Sequence, residues 1–122
     1  DITEEAFFSF LEKRRGILDG VCITGGEPLL HRDIAPFLAH IKEMGFLVKL
    51  DTNGSFPDRL SALIEGGLVD YVAMDIKAPL DKYRPICCAD VDLGKIKESI
   101  DFFIEISSNM MYIINIIILL LL

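Results

Sequence analysis

Three short segments of this sequence gather residue types that can do chemistry. Thr24-Gly25-Gly26-Glu27-Pro28 sets a carboxylate beside two glycines, which let the backbone approach a ligand closely. Asp51-Thr52-Asn53-Gly54 adds an acid and an amide; in an extended strand Lys49, Asp51 and Asn53 share one face, while Val48 and Leu50 share the other. Met74-Asp75-Ile76-Lys77 repeats the arrangement, with Asp75 and Lys77 on one face and Met74 and Ile76 on the other. Each also has a plain structural explanation: a tight turn before a helix, an Asn-Gly turn with Asp51 capping nearby amides, and a structural ion pair. Their common placement is harder to explain away. Each closes an apolar run, where polar side chains must be paired, hydrated or bound to something.

The elements that must position these segments follow from periodicity. Thr3 is placed to cap a helix over residues 3–15, with Glu4 and Glu5 in its first turn, Ile2 and Phe7 spaced as a hydrophobic staple, and Gly16 at its end. Val21 to Thr24 reads as a strand buried on both faces. A second helix starts with Asp33 as N-cap, buries Ile34, Phe37, Leu38, Ile41 and Met44, and stops at Gly45. Phe46 to Leu50 is the next strand. A third helix opens near Pro57, carries Leu60, Leu63 and Ile64, and stops at Gly66-Gly67; Tyr71 to Ile76 is a third strand. A fourth helix from Asp92 carries Leu93, Ile96, Ile100 and Phe103.

The candidate strand ends Gly25, Asn53 and Lys77 lie 28 and 24 residues apart, about one βα unit each. That cadence predicts an α/β fold of parallel strands with right-handed crossover helices. Periodicity alone does not choose between a doubly wound sheet and an arc of a barrel. A βα chain that opens on a helix is expected to lack its first strand. Residues 1–108 form the domain; 109–122 form an anomalous tail with no charge and no period, shorter than the ~20 residues of a spanning helix. A truncation or frame artefact, a buried strand with an apolar extension, and a membrane anchor are the three readings of that tail.

Composition limits the function classes. With 12 Lys+Arg against 19 Asp+Glu the net charge is −7, which disfavours a nucleic-acid or anionic-membrane surface. At 52% apolar residues the chain can bury a real core. Three cysteines do not make a disulfide framework, and no signal-type segment opens the sequence, so a cytoplasmic setting is expected.

Val21 to Leu30, Leu50 to Gly54, and Met74-Asp75-Ile76-Lys77-Ala78-Pro79, taken in order, resemble the radical S-adenosylmethionine enzymes, and among them the glycyl-radical-enzyme activases, especially those that activate anaerobic ribonucleoside-triphosphate reductase. The resemblance covers roughly residues 1–106. It implies a partial (β/α) barrel in which S-adenosylmethionine and a 4Fe-4S cluster share a site at the strand ends. It implies that Gly25, Gly26 and Glu27 hold the methionine amino group, and that Asp51, Asn53, Asp75 and Lys77 contact the cofactor. The implied reaction reduces the sulfonium, releases a 5′-deoxyadenosyl radical, and removes a hydrogen from a glycine Cα of a partner reductase subunit, with a flavodoxin or ferredoxin as electron donor. A 7-carboxy-7-deazaguanine synthase shares the Gly-Gly-Glu-Pro segment, but the Asp75 to Pro79 run fits the activases better. A non-catalytic S-adenosylmethionine-binding or interaction module is the alternative from another class.

One departure bears on all of this. The resemblance calls for a CxxxCxxC motif whose thiolates hold the cluster, and this sequence has only Cys22, Cys87 and Cys88. Cys22 reads as a small buried hydrophobe within a strand, and two adjacent cysteines cannot replace a spaced triad. The chain is therefore expected to be an internal fragment of an activase, inactive alone. His31 and His40 read as solvated or capping residues.

Overall fold

The computed structural model describes residues 2–76, 91–107 and 115–118. Helix α1 (Glu4–Glu12) starts as expected, with Thr3 Oγ1 accepting from the Ala6 amide at 3.2 Å. It ends earlier: the regular helix stops at Glu12 and residues 13–17 continue as turns to Gly16, whose φ is +74°. The staple does not form. Ile2 is 84% exposed, and Phe7 stacks instead on Phe37 of the second helix at 5.3 Å between ring centroids.

Strand β1 (Gly20–Ile23) leads through Gly25 into a single 3-10 turn (Pro28–Leu30) and helix α2 (Ile34–Glu43). Asp33 occupies the N-cap position of α2, but its side chain makes no capping bond. Strand β2 (Leu47–Thr52) runs two residues further than its apolar stretch implies, because Thr52 continues the buried row of Val48 and Leu50. Helix α3 (Pro57–Glu65), strand β3 (Tyr71–Ile76) and helix α4 (Leu93–Ser107) follow the predicted spans closely. Asp92 Oδ1 accepts from the amides of Gly94 and Lys95, which caps α4. Asn115–Ile118 forms strand β4 within the apolar tail.

The four strands lie side by side in chain order, β1-β2-β3-β4, and every pairing is parallel. Leu38 and Ile41 of α2, Leu60 and Leu63 of α3, and Ile96 and Phe103 of α4 join Val48, Leu50, Val72, Met74 and Ile76 in a single core cluster. The described helices thus pack on one face of the sheet. A doubly wound fold reverses strand order and places helices on both faces. Sequential order with the described helices on one face is an arc of a (β/α) barrel, which settles the choice that periodicity left open.

The opposite face carries Cys22, Lys49 and Tyr71 in one register row, then Asp51 beside Ala73, then Asp75. It is open at β1 and β2, where Cys22 is exposed and Lys49 and Asp51 are half-buried, whereas Ala73 of β3 is buried. Two expectations are corrected here for that reason: β1 alternates between exposed and half-buried residues rather than being buried on both faces, and Cys22 is an exposed thiol rather than a buried hydrophobe. Below this row Lys42 pairs with Asp70, whose carboxylate also accepts from the Val48 amide at 2.7 Å, tying α2 to the start of β2. Among the described residues no helix is long and apolar enough to cross a membrane.

Candidate functional site

The carboxyl ends of β1, β2 and β3 meet around one open cavity of about 510 Å³, lined by Thr24, Gly25, Gly26, Glu27, Asp51, Thr52, Asn53 and Asp75. Six of the seven residues singled out from sequence are therefore together. Lys77, like Ala78 and Pro79, lies outside the described residues.

Glu27 bridges the first two strand ends. Its Oε1 accepts from the Leu29 amide at 3.1 Å and the Thr52 hydroxyl at 2.8 Å, and its Oε2 accepts from the Asn53 amide at 2.8 Å. A carboxylate has about four acceptor directions, so three internal bonds leave about one for a ligand. Gly25, with φ +112°, turns the chain out of β1, and a Cβ built at either Gly25 or Gly26 would meet nothing within 4 Å. The space beside that backbone is open to a ligand.

The turn after β2 is built differently. Asn53 Oδ1 accepts from the Ser55 amide at 2.9 Å, an Asx turn, and Gly54 takes φ +77°. The Gly54 amide donates to Thr52 Oγ1 at 3.2 Å, and its carbonyl accepts from the Ser99 hydroxyl of α4 at 2.8 Å. Ser99 is fully buried.

Below the cavity on the same face, Lys49 donates to Asp51, while the Cys22 thiol donates to Asp51 Oδ2 at 3.6 Å and accepts from Lys49 at 3.8 Å. Cys22 is exposed as a residue, yet partial shielding of its sulfur is the largest influence raising the thiol pKa above its usual range. The Asp51 charge pushes the same way and the Lys49 charge opposes it. The hydrogen bond to Asp51 holds the Lys49 ammonium above the ordinary lysine range, against its own partial desolvation. Asp51 thus reaches the cavity already engaged by a cation and a thiol.

Sequence reasoning missed three residues of this site. Thr52 had a readable signal, since its position in the period-2 row makes it a buried hydroxyl needing a partner. Ser99 had a fainter one: it lies three residues after Ile96 and four before Phe103 on the buried face of α4. Arg59 had none. From α3 it donates to the carbonyls of Leu29 and His31, the latter at 2.6 Å. His31 is exposed at the end of the 3-10 turn and His40 is exposed and stacks on Phe8, consistent with the bland expectation for both.

The geometry defines a class first: a singly wound parallel β/α arc whose ligand cavity lies at the carboxyl ends of its strands. The sequence pattern of the Radical SAM superfamily matches residues 4–121, and the chain belongs to that superfamily. Two proteins of Methanocaldococcus jannaschii, provisionally named glycyl-radical enzyme activating enzymes, are similar to it. One is 43% identical over 83 residues, which is 67% of this chain and 35% of that protein. The other is 30% identical over 101 residues, 75% of this chain and 38% of that protein. A 7-carboxy-7-deazaguanine synthase of Methanopyrus kandleri is 38% identical over 71 residues, 57% of this chain and 27% of that protein. The chain spans about a third of the length of these curated relatives.

The superfamily implies S-adenosylmethionine and a 4Fe-4S cluster, and the residues fit the two unequally. The cavity falls in the range of small-molecule sites, about 300–1,000 Å³. Its open glycine backbone and three carboxylates suit a ligand bearing an ammonium and a sulfonium. The cluster does not fit these residues. Cys22, Cys87 and Cys88 lack the required spacing, and among the described residues no group of three or more His, Cys, Asp or Glu side chains could hold a metal ion.

Proposed function

We propose that this chain is the S-adenosylmethionine-binding part of a glycyl-radical-enzyme activase, whose reductase substrate is an anaerobic ribonucleoside-triphosphate reductase. One observation carries the reading: Gly25 to Glu27, Asp51 to Asn53 and Asp75 converge on a single cavity at successive parallel strand ends. In this reading the backbone of Gly25 and Gly26 and the remaining acceptor direction of Glu27 take the methionine ammonium. Asp51 and Asp75 face the rest of the cofactor, and Lys77 takes its carboxylate. The cofactor supplies the radical chemistry, and the protein supplies orientation and exclusion of water. No step is assigned to a cluster, because its ligands are not among these residues. A flavodoxin or ferredoxin donor, the reductase partner and a cytoplasmic setting belong to the same proposal for the whole protein.

Calorimetric titration of the chain with S-adenosylmethionine tests the cofactor half. Saturable one-to-one binding that weakens in Asp51→Asn supports the site, and no heat at millimolar ligand contradicts it. The likeness to 7-carboxy-7-deazaguanine synthases keeps a second reading in play. The whole protein, loaded anaerobically with iron and sulfide, separates the two: a glycyl-radical doublet on a reductase supports the activase, and formation of 7-carboxy-7-deazaguanine supports the synthase.

A further inference from the structure

We propose that Arg59 is a positioning residue for the amino-acid end of the cofactor: from α3 it forks onto the carbonyls of Leu29 and His31 and, with Glu27, holds the Gly25-Gly26 loop in the shape the ligand meets. The inference rests on the S-adenosylmethionine reading above and adds to it a residue that touches no ligand.

The loop needs such a hold. Open space lies on both of its sides: the 510 Å³ cavity facing Asp51 and Asp75, and a second cavity of about 390 Å³ facing Glu4, Asp33 and Phe37. Neither glycine has a side chain to pack, and Thr24, Gly25 and Gly26 are all exposed. The loop's position is therefore set where it is next anchored, in the segment from Glu27 to His31. Pro28 and Leu29 are buried there, while internal bonds join the Leu30 amide to the Glu27 carbonyl and the His31 amide to the Pro28 carbonyl, each at 3.1 Å.

A turn this short leaves its last carbonyls without partners inside it; the His31 carbonyl accepts a long bond from the Ile34 amide at 3.4 Å, and Arg59 adds a charged donor to it and to the Leu29 carbonyl. Its two terminal nitrogens reach Leu29 O and His31 O, two residues apart, from a rigid planar fork, where a lysine ammonium would serve both only as a point charge on a flexible stem. Both holds come from the same body: Glu27 is fastened to Thr52 and Asn53 at the end of β2, and Arg59 stands on the helix that follows directly. The glycine loop is thus referenced to the β2–α3 unit, which also carries Asp51.

Wild type, Arg59→Met and Arg59→Lys test this through site-resolved amide exchange and equilibrium dialysis. The two probes are S-adenosylmethionine and 5′-methylthioadenosine, which lacks the amino-acid end. Arg59→Met is expected to speed exchange at Leu30 and His31 while α2 amides stay protected, and to weaken S-adenosylmethionine about tenfold, a fraction of what two charge-assisted hydrogen bonds are worth, because the variant loses loop order and no ligand contact. Methylthioadenosine should change by less than about twofold, since it makes no call on the loop. Arg59→Lys, which keeps the cation and loses the fork, should fall between and remains informative if the methionine variant does not fold. Equal losses for both ligands, an unmoved affinity ratio, or unmoved exchange would overturn the positioning role. Failure of the wild type to bind S-adenosylmethionine would instead remove the functional reading, and this inference with it.

Discussion

The loop after β1 and the turn after β2 serve the same cavity and are built by opposite means. Gly54 in the second turn is buried, and a Cβ there would lie 2.9 Å from Met74 Sδ; Ser99 and Thr52 hold its carbonyl and amide from below. Gly25 and Gly26 in the first loop are exposed, a Cβ at either would meet nothing within 4 Å, and the loop hangs between the paired end of β1 and the Glu27 anchor. One segment is a packed floor and the other is a suspended rim. A glycine in the floor is there for the fold, whereas a glycine in the rim leaves room for a ligand.

Breaking the floor should cost the most stability. Gly54→Ala must hold a left-handed conformation, at about 1–2 kcal/mol, and displace Met74, at about 1–3 kcal/mol of overpacking. Urea unfolding followed by circular dichroism checks this; a midpoint unchanged from wild type would mean that the turn is free to relax. Ser99→Ala removes the only described donor to a carbonyl in a buried turn and should cost about 1–3 kcal/mol, read in the same assay.

The rim should respond in the other order. Gly26 has no positive φ and open space at its Cβ position, so Gly26→Ala should change stability by less than about 0.5 kcal/mol while reducing S-adenosylmethionine affinity. A variant that melts early and binds normally would reverse the comparison.

These contrasts also mark what could be read from the sequence. The order of elements was legible because α2, α3 and α4 each carry a strong apolar stripe between clear stops, and the cadence of polar strand ends identified the cavity's lining. The parity of Lys49 and Asp51 against Val48 and Leu50 correctly separated the two sheet faces. Parity could not say whether the polar face is covered, however, so Cys22 was expected to be buried and is exposed. The Ile2–Phe7 staple failed for a related reason: Phe37, 30 residues away, offers Phe7 a ring to stack on. Arg59 was invisible because its partners are backbone carbonyls about 30 residues upstream, which leave no mark on residue type.

The smallest predicted effect lies below the cavity. Shielding and the Asp51 charge both disfavour the Cys22 thiolate, so Asp51→Asn should lower the thiol pKa and speed its alkylation at pH 8, while Lys49→Met should slow it. Peptide mass spectrometry distinguishes Cys22 from Cys87 and Cys88. The Lys49–Asp51 pair itself has a defined pH window. Because the folded lysine pKa is raised, its contribution is full below the unfolded value of about 10.4 and is lost as pH rises through the folded one. Both side chains are more than a third exposed and solvent screens the pair, so the effect on stability is expected to be slight.

The central claim is that the suspended loop and the packed turn form one S-adenosylmethionine site. Titrating the isotopically labelled chain with S-adenosylmethionine, and following amide resonances, tests it most directly. The account predicts saturable shifts concentrated at Gly25, Gly26, Asn53 and Asp75, with Gly54 and the α4 amides nearly still. Shifts confined to one strand end, or none at millimolar ligand, would contradict it.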